Sequence, residues 1–354
     1  MTDNAAADSP TPDPQPTTHR RRPRYSGKNP RRFEDKYKEL DPARHAETIA
    51  KVLASGKTPA GTHRSIMVAE VLQTLSPKPG EVAVDCTLGY GGHARELLGR
   101  VLPGGRLIGL DTDPIELPKT EQRLREAGFG PDVFTAVRSN FAGLPQVLTG
   151  AGLSGADCIL VDLGVSSMQI DDPTRGFSIK GDGPLDMRMN PQRGFPASVL
   201  LQKITPDDLA ELLVENADEP YADELSEKLA GRAFSTTNQL ANAIRAAAPD
   251  PDRDTVVLTI RRVFQALRIA VNDEFPAIDM FLRNLPYCLN PGARIAILTF
   301  HSGEDLRVKK AFQAGLRDGH YAEIARDVIR ATPQERNQNP RSSSAKLRWA
   351  KKSS

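Results

Sequence analysis

"VDCTLGYGGHA", residues 84–94, runs a short apolar segment into an acid, places Gly89, Gly91 and Gly92 within four positions, and ends on a histidine and an alanine. Upstream, Val68, Val71, Leu72 and Leu75 fall at the i, i+3, i+4, i+7 spacing of an amphipathic helix, which "SPKPG" terminates. "EVAVDC" then reads as a strand. Beyond the glycines, Ala94, Leu97, Leu98 and Val101 mark one face of a second helix that stops before "PGG". The unit is strand, tight turn, helix, and glycine in the turn lets a ligand approach the main chain closely.

The pattern repeats outward. "GRLIGLD", "DVFTAVRSN" and the almost continuously apolar "ADCILVDLG" read as strands, with "PIELPKTEQRLREAG" as a helix between the first two. Apolar strands alternating with helices predict a doubly wound α/β fold with a parallel sheet covered on both faces. After Gly164 about thirty residues carry turn formers and no period, which marks a functional loop over the carboxyl edge of the sheet. "TPDDLAELLVENA" and "STTNQLANAIRAAAP" open on good N-caps and predict a helical insertion. "DTVVLTIRRVFQALRIAVNDEF" predicts one long helix and "AIDMFLRNLPYCLN" another. "PGARIAILTF" returns to the sheet, "EDLRVKKAFQAGLR" is a helix, and in "AKLRWAKK" the alternation of Ala345, Leu347 and Trp349 predicts a last strand. The expected organisation is a basic N-terminal extension over 1–59, a sheet domain made of 60–175 and 255–354, and a loop with an inserted helical subdomain over 176–254.

Composition limits the function classes. A chain of 354 residues is long enough for two folded units or one domain with an insertion. No apolar run approaches the roughly 20 residues of a membrane span, and the N-terminus is polar, so a cytoplasmic protein is expected. Cys86, Cys158 and Cys288 each lie in or beside an apolar segment and read as buried hydrophobes rather than a disulfide framework. The net charge of +2 is unevenly spread: His19–Lys38 carries nine Lys or Arg against two acids. Such a segment is either a solvated tail or an arm that neutralises nucleic-acid phosphates.

Three strands end in acids at one sheet edge: Asp85, Asp111 and Asp162. Asp111 follows Gly89 by 22 residues, the distance at which a carboxylate accepts the ribose hydroxyls of an adenosine-containing ligand. A dinucleotide is disfavoured, because Ala94 stands where a third glycine belongs and Asp85 would repel a pyrophosphate. A cation suits Asp85 better, which favours S-adenosylmethionine over NAD. Asp162 either caps its turn or lies near the transferring methyl or the target amine. Phe141 either stacks on adenine or fills the core, and Gln169 alone is no more than a polar residue. On the long helix Arg261, Gln265, Arg268 and Asn272 share a face, either solvated or hydrogen-bonded near substrate. His301 in "TFHS" ends a core strand at the same edge, and no cluster with metal-ligand spacing accompanies it.

"HRSIMVAEVL", "VDCTLGYGGHA", "GLDTDP", "ILVDLGVSSMQIDD", "RGFS", "DGPLDMRM", "FQALRIAVNDE", "PGARIAILTFHS" and "NPRSSSAKLR", taken together from about residue 63 to 348, resemble the MraW/RsmH methyltransferases. The resemblance implies a Rossmann-like class I methyltransferase sheet with a helical insertion. It implies methyl transfer from S-adenosylmethionine to the N4 amine of a cytidine in small-subunit ribosomal RNA, so that the partner is ribosomal RNA or the small subunit. It also implies that Gly91, Gly92, His93, Asp111, Phe141, Asp162 and Gln169 contact the cofactor. In-line methyl transfer needs the amine held in place, and Asp162 is expected to position it, with no metal. The oligomeric state, a homodimer included, is left open. The stretch before residue 60 is expected to fall outside the resemblance.

Three positions depart from the family pattern. Gly303 and Leu306 stand where the resemblance leads one to expect Leu and Arg, and Ser343 where it leads one to expect Arg. They support an alternative, a catalytically weakened RNA-binding paralogue acting in ribosome assembly. An NAD-dependent oxidoreductase is a third and more distant reading.

Overall fold

The structure, a computed structural model, describes residues 65–354 and the single position Glu47. The rest of the basic N-terminal stretch, with its expected role in gripping RNA, lies outside the described residues. Strands β1 (Val82–Asp85), β2 (Arg106–Asp111), β3 (Phe134–Arg138) and β4 (Ala156–Asp162) come first in the chain. They alternate with helices α1 (Val68–Leu75), α2 (Gly92–Val101), α3 (Glu116–Glu126) and α4 (Leu144–Gly150). Six helices follow β4: α5 (Ser167–Asp171), α6 (Ala197–Lys203), α7 (Pro206–Ala217), α8 (Ala222–Leu229), α9 (Thr237–Ala247) and α10 (Arg253–Val271). The chain then runs through α11 (Glu274–Asn284), β5 (Leu289–Thr299), α12 (Ser302–Arg317), β6 (Tyr321–Ile324), α13 (Pro333–Gln338) and β7 (Lys346–Lys352).

The strands form one sheet in the order β3-β2-β1-β4-β5-β7-β6. β1 pairs in parallel with both β2 and β4, β2 with β3, and β4 with β5, while β7 runs antiparallel to β5 and β6. The order reverses between β2-β1 and β4. That reversal opens a crevice at the carboxyl ends of β1 and β4, where ligands bind in folds of this kind.

Two apolar cores account for the continuous hydrophobicity of the strands. Ala83, Leu107, Leu160 and Ala296 pack on one face with Leu75 of α1 and Leu97 of α2. Their neighbours Val84, Ile108, Ile159 and Ile297 pack on the other with Phe281 of α11 and Phe312 of α12. Adjacent strand residues point to opposite faces, so burying both faces requires apolar residues at nearly every position. A third apolar cluster joins helices α6 to α10, with Leu201, Leu213, Leu225, Leu240, Ile244, Val263 and Leu267 fully buried, together with Leu185 and Met187 from the preceding loop.

Local chemistry sets the ends of the helices. Thr205 and Thr236 accept hydrogen bonds from backbone N–H groups three residues on, as their N-cap reading expects. The single long helix expected over 254–275 is corrected: it breaks at Asn272–Asp273. Asp273 takes a left-handed conformation with φ of 50°, and the Asn272 side chain donates to Met187 O and Arg268 O instead of continuing on an exposed face. Strand β6 and helix α5 were not anticipated. Among the described residues no helix is long and apolar enough to cross a membrane.

Candidate active site

The crevice at the strand reversal holds a cavity of about 450 Å³, a volume suited to a small-molecule ligand. Gly91, Gly92, His93, Asp111, Phe141, Asp162 and Gln169 all line it, brought together from six separate elements and turns. Asp85 does not line it. The side chain is buried behind the wall and accepts the Thr87 N–H at 3.1 Å, so any effect of Asp85 on a ligand's charge is exerted without contact. Thr87 in turn accepts the Asp162 N–H at 2.6 Å, which ties the ends of β1 and β4 together.

The glycines are required by shape. Gly91 is the N-cap of α2 with φ of +82°, and a Cβ there would stand 2.9 Å from Thr120 Cγ2. A Cβ on Gly92 would fall on Ser65 Oγ. The turn is anchored to β2 by Asp111, whose Oδ2 accepts the Gly89 N–H at 2.8 Å while Oδ1 accepts the Asp113 N–H at 2.9 Å. Each oxygen keeps a second lone pair for a ligand hydroxyl. Phe141 meets Phe281 edge to face at 5.6 Å and also presents itself to the cavity, so both readings of this residue have a physical basis.

The electrostatics of the crevice are unbalanced. Burial, followed by the Asp85 and Glu304 charges, pushes the Asp162 carboxyl up to about 8. Burial, reinforced by Asp111, takes Asp85 to about 7 against the pull of its Thr87 hydrogen bonds. Burial likewise takes Asp111 to about 6, opposed by the N–H groups it accepts. His93 is pushed down to about 4 by burial and is neutral at pH 7. Neither His93 Nε2 nor Asp162 Oδ1, both buried, has a hydrogen-bond partner among the described residues. Unpaired buried carboxyl groups are costly, and a cation entering the crevice relieves that cost.

Several residues that organise the site escaped the sequence reading. Asp113, 1% exposed, accepts from Arg175 Nη1 and Gln169 Nε2, both at 2.8 Å. Arg175 also donates to the carbonyls of Arg188 and Met189, and so pins the aperiodic loop over the sheet edge. Gln169 Oε1 accepts the Ser166 N–H while Ser166 Oγ accepts the Gln169 N–H, a reciprocal capping box that starts α5. The Ser166-x-x-Gln169 spacing is the signal that could have revealed this helix. These bonds fix the orientation of the Gln169 amide at the cavity wall and leave one N–H and one lone pair free of them.

On α10 the polar stripe is mostly half-buried and bonded. Arg268 forms a two-pronged pair with Glu274 at 2.7 and 2.8 Å, Gln265 donates to Asn216 O, and Arg261 alone is exposed. Arg268, Asn272 and Glu274 line the cavity, with Phe300 and Glu304 behind the end of β5. Glu304 is 0% exposed; burial raises its carboxyl, but His301, Arg268 and the Phe300 N–H outweigh that and hold it below its ordinary value.

The three departures from the family pattern lie off the cavity lining. A Cβ on Gly303 would stand 2.7 Å from Phe275 Cζ, so the Phe275 ring occupies the space that a larger side chain would claim. Arg307 lies over the same ring at 3.6 Å. Leu306 is 49% exposed and Ser343 is exposed on the surface.

Residues 60–353 match the model of the MraW methylase family. The chain belongs to that family. Its relatives include "Ribosomal RNA small subunit methyltransferase H 1" of Lachnoclostridium phytofermentans, 48% identical over 96% of this chain and 95% of the relative. Another is "Ribosomal RNA small subunit methyltransferase H" of Symbiobacterium thermophilum, 40% identical over 81% of this chain and 95% of the relative. The first match covers too much of the chain to be confined to residues 60–354. The family model itself begins at residue 60, as expected, while the alignment with that relative continues into the stretch before it. Likeness to solved structures is weak, as with Aeropyrum pernix fibrillarin at TM-score 0.38 and 11% identity over 80% of this chain and 73% of that one, and carries no weight here. As an MraW family member the chain is a methyltransferase.

The site fits S-adenosylmethionine on its own chemistry. Such a ligand would bring a sulfonium and an amino group to the unpaired Asp162 oxygen, ribose hydroxyls to Asp111, and a flat base to Phe141. The glycine turn, which no Cβ can enter at Gly91 or Gly92 without displacing neighbours, leaves main chain open to close approach.

Proposed function

We propose that this chain transfers a methyl group from S-adenosylmethionine to the N4 amine of a cytidine in small-subunit ribosomal RNA. The observation that carries the reading is the buried, unpartnered Asp162 oxygen among three raised carboxyl groups at the strand reversal. A cation entering there lets these carboxyl groups ionise, which a neutral or anionic ligand does not. The names of the relatives supply the RNA class, and the cytosine amine is what the resemblance to the family implies. We infer further that residues 60–175 and 255–354 form the methyltransferase domain, that 176–254 is an inserted loop and helical subdomain, and that the protein works in the cytoplasm on small subunits.

When bound, the cofactor supplies an electrophilic methyl group carried on a sulfonium. The chain's own residues do the rest. Gly91 and Gly92 would admit it against the N-terminus of α2, Asp111 would hold the ribose, and Asp162 with neutral His93 would face its charged part. Asp162 would also orient the amine, whose lone pair is delocalised into the cytosine ring, and much of the acceleration would come from that positioning. The base must be splayed out of its stack to reach the crevice. Arg175, by pinning the loop through Met189, keeps a wall on the cavity and restricts water.

Small-subunit RNA from a strain lacking the protein, compared by mass spectrometry with RNA from the complemented strain, tests the reading. Loss of one N4-methylcytidine on deletion is expected. Identical methylation in both strains would rule it out.

A further inference from the structure

Asp162 is not the only buried carboxyl group with an open valence on this cavity. Glu304 lines the same wall while its side chain is wholly buried. Its Oε2 accepts the Phe300 N–H at 2.7 Å, whereas Oε1 has no aligned hydrogen-bond partner among the described residues. His301 Nε2 stands 3.1 Å from Oε1 but out of hydrogen-bond alignment. A Cβ on Gly164 would lie 3.9 Å from the same Oε1, so that oxygen sits against the turn directly after Asp162. The end of β4 and the first turn of α12, which follows β5, thus each bring to one crevice a carboxyl oxygen without an aligned hydrogen bond, Asp162 Oδ1 and Glu304 Oε1.

We propose that Glu304 receives the target amine: its Oε1 accepts an N–H of that amine and takes the proton the nitrogen sheds on methylation. This rests on the reading that the acceptor is an exocyclic amine. Such an amine presents two N–H groups, and Asp162 Oδ1 and Glu304 Oε1 offer one acceptor to each. Glu304 is the member of the pair that rests as a carboxylate, free to accept a proton, whereas Asp162 is pushed towards its neutral form. In the step, the nitrogen lone pair forms the new N–C bond and the methyl–sulfur bond breaks with its electron pair remaining on sulfur. One N–H bond breaks, its electrons stay on nitrogen, and the proton goes to Glu304 Oε1. The products are the methylated amine, a neutral thioether and a protonated Glu304.

Glu304 also caps α12, and this separates charge from structure. Glutamine serves at the third position of a capping box as glutamate does, so Glu304→Gln keeps the cap and removes the base. The test uses full-length protein, small subunits from the deletion strain and S-adenosylmethionine labelled in the methyl group. Expected for E304Q are a melting temperature near that of wild type, a cofactor affinity within about threefold by calorimetry, and a single-turnover rate down by about 100-fold or more. Glu304→Asp, which keeps a carboxylate one methylene further back, is expected to be faster than E304Q. An E304Q rate equal to wild type, an E304D rate no better than E304Q, or loss of cofactor binding in E304Q that accounts for its inactivity each overturns the proposal while leaving the methyltransferase reading intact. Wild-type protein that leaves these subunits unmethylated removes both.

Discussion

His93 Nε2 and Asp162 Oδ2 stand 3.9 Å apart across the floor of the crevice, too far for a hydrogen bond and too close to ignore each other. Burial drives their titrations in opposite directions, His93 down to about 4 and Asp162 up to about 8. At neutral pH the pair is therefore largely uncharged. A site in this condition binds a cation by allowing Asp162 to ionise.

Asp162→Asn should stabilise the ligand-free protein in alkaline solution. The folded carboxyl titrates at about 8 against an ordinary 3.8, so the folded state binds more protons than the unfolded one between these values. Stability from this group is undiminished near pH 4 and is lost as pH rises through 8. Discounting for the 27% of the side chain that is exposed, the variant should gain about 2 kcal/mol over wild type at pH 8 and nothing at pH 4. Urea unfolding followed by the fluorescence of Trp349, half-buried on β7, measures this. Cofactor affinity should fall by at least about tenfold in the same variant, and a variant that is less stable at pH 8 would contradict the assignment.

His93→Gln should have the opposite pH signature. The imidazole titrates at about 4 when folded and near 6.5 when unfolded, so between these values the unfolded state binds more protons. The neutral ring's contribution is fully present above pH 6.5 and is lost as pH falls towards 4. Wild type should lose about 2–3 kcal/mol across that window from this residue, and the variant should lack that part of the slope. Parallel unfolding series at pH 7 and pH 4.5 decide the matter.

Much of this site was legible in the sequence because periodicity and strand ends are local signals. The doubly wound sheet followed from apolar runs such as "CILVD", whose neighbouring residues Ile159 and Leu160 serve opposite cores. The acids at the ends of β1, β2 and β4 announced the binding edge. Whether an acid faces the cavity or the protein was not legible: Asp85 and Asp111 have equivalent places in the pattern, yet only Asp111 reaches the cavity wall. The Asp113–Arg175 pair spans 62 positions, and Glu304 meets the turn after Asp162 only through the pairing of β4 with β5. Contacts made by tertiary pairing leave no spacing to read. Strand β6 was missed because four residues at a sheet edge, only Tyr321 of them buried, carry too little alternation.

Arg175→Ala should loosen the loop over the cavity as well as destabilise the fold. It removes one member of a buried ion pair and leaves Asp113 uncompensated, at a cost of about 3–5 kcal/mol. The carbonyls of Arg188 and Met189 lose their donor at the same time. Faster proteolysis within 176–194 and weaker cofactor binding are expected together. A destabilised variant with an unchanged cleavage rate in this loop would show that Arg175 does not pin it.

Gly303→Ala tests whether the departure from the family pattern is compensated by Phe275. The added methyl would meet Phe275 Cζ at 2.7 Å and Cε1 at 3.3 Å, and the ring is held in turn by Arg307 at 3.6 Å. Overpacking of this kind costs about 1–3 kcal/mol. Phe275 is buried, so Phe275→Leu alone should also destabilise, by loss of apolar contact. In the double variant the methyl occupies space the ring has vacated, and the two costs should sum to less than their separate values by at least about 1 kcal/mol. Additive costs would mean that the two positions do not share this space and that the glycine is there for another reason. Methyl transfer by the double variant should stay near that of wild type, because neither residue lines the cavity.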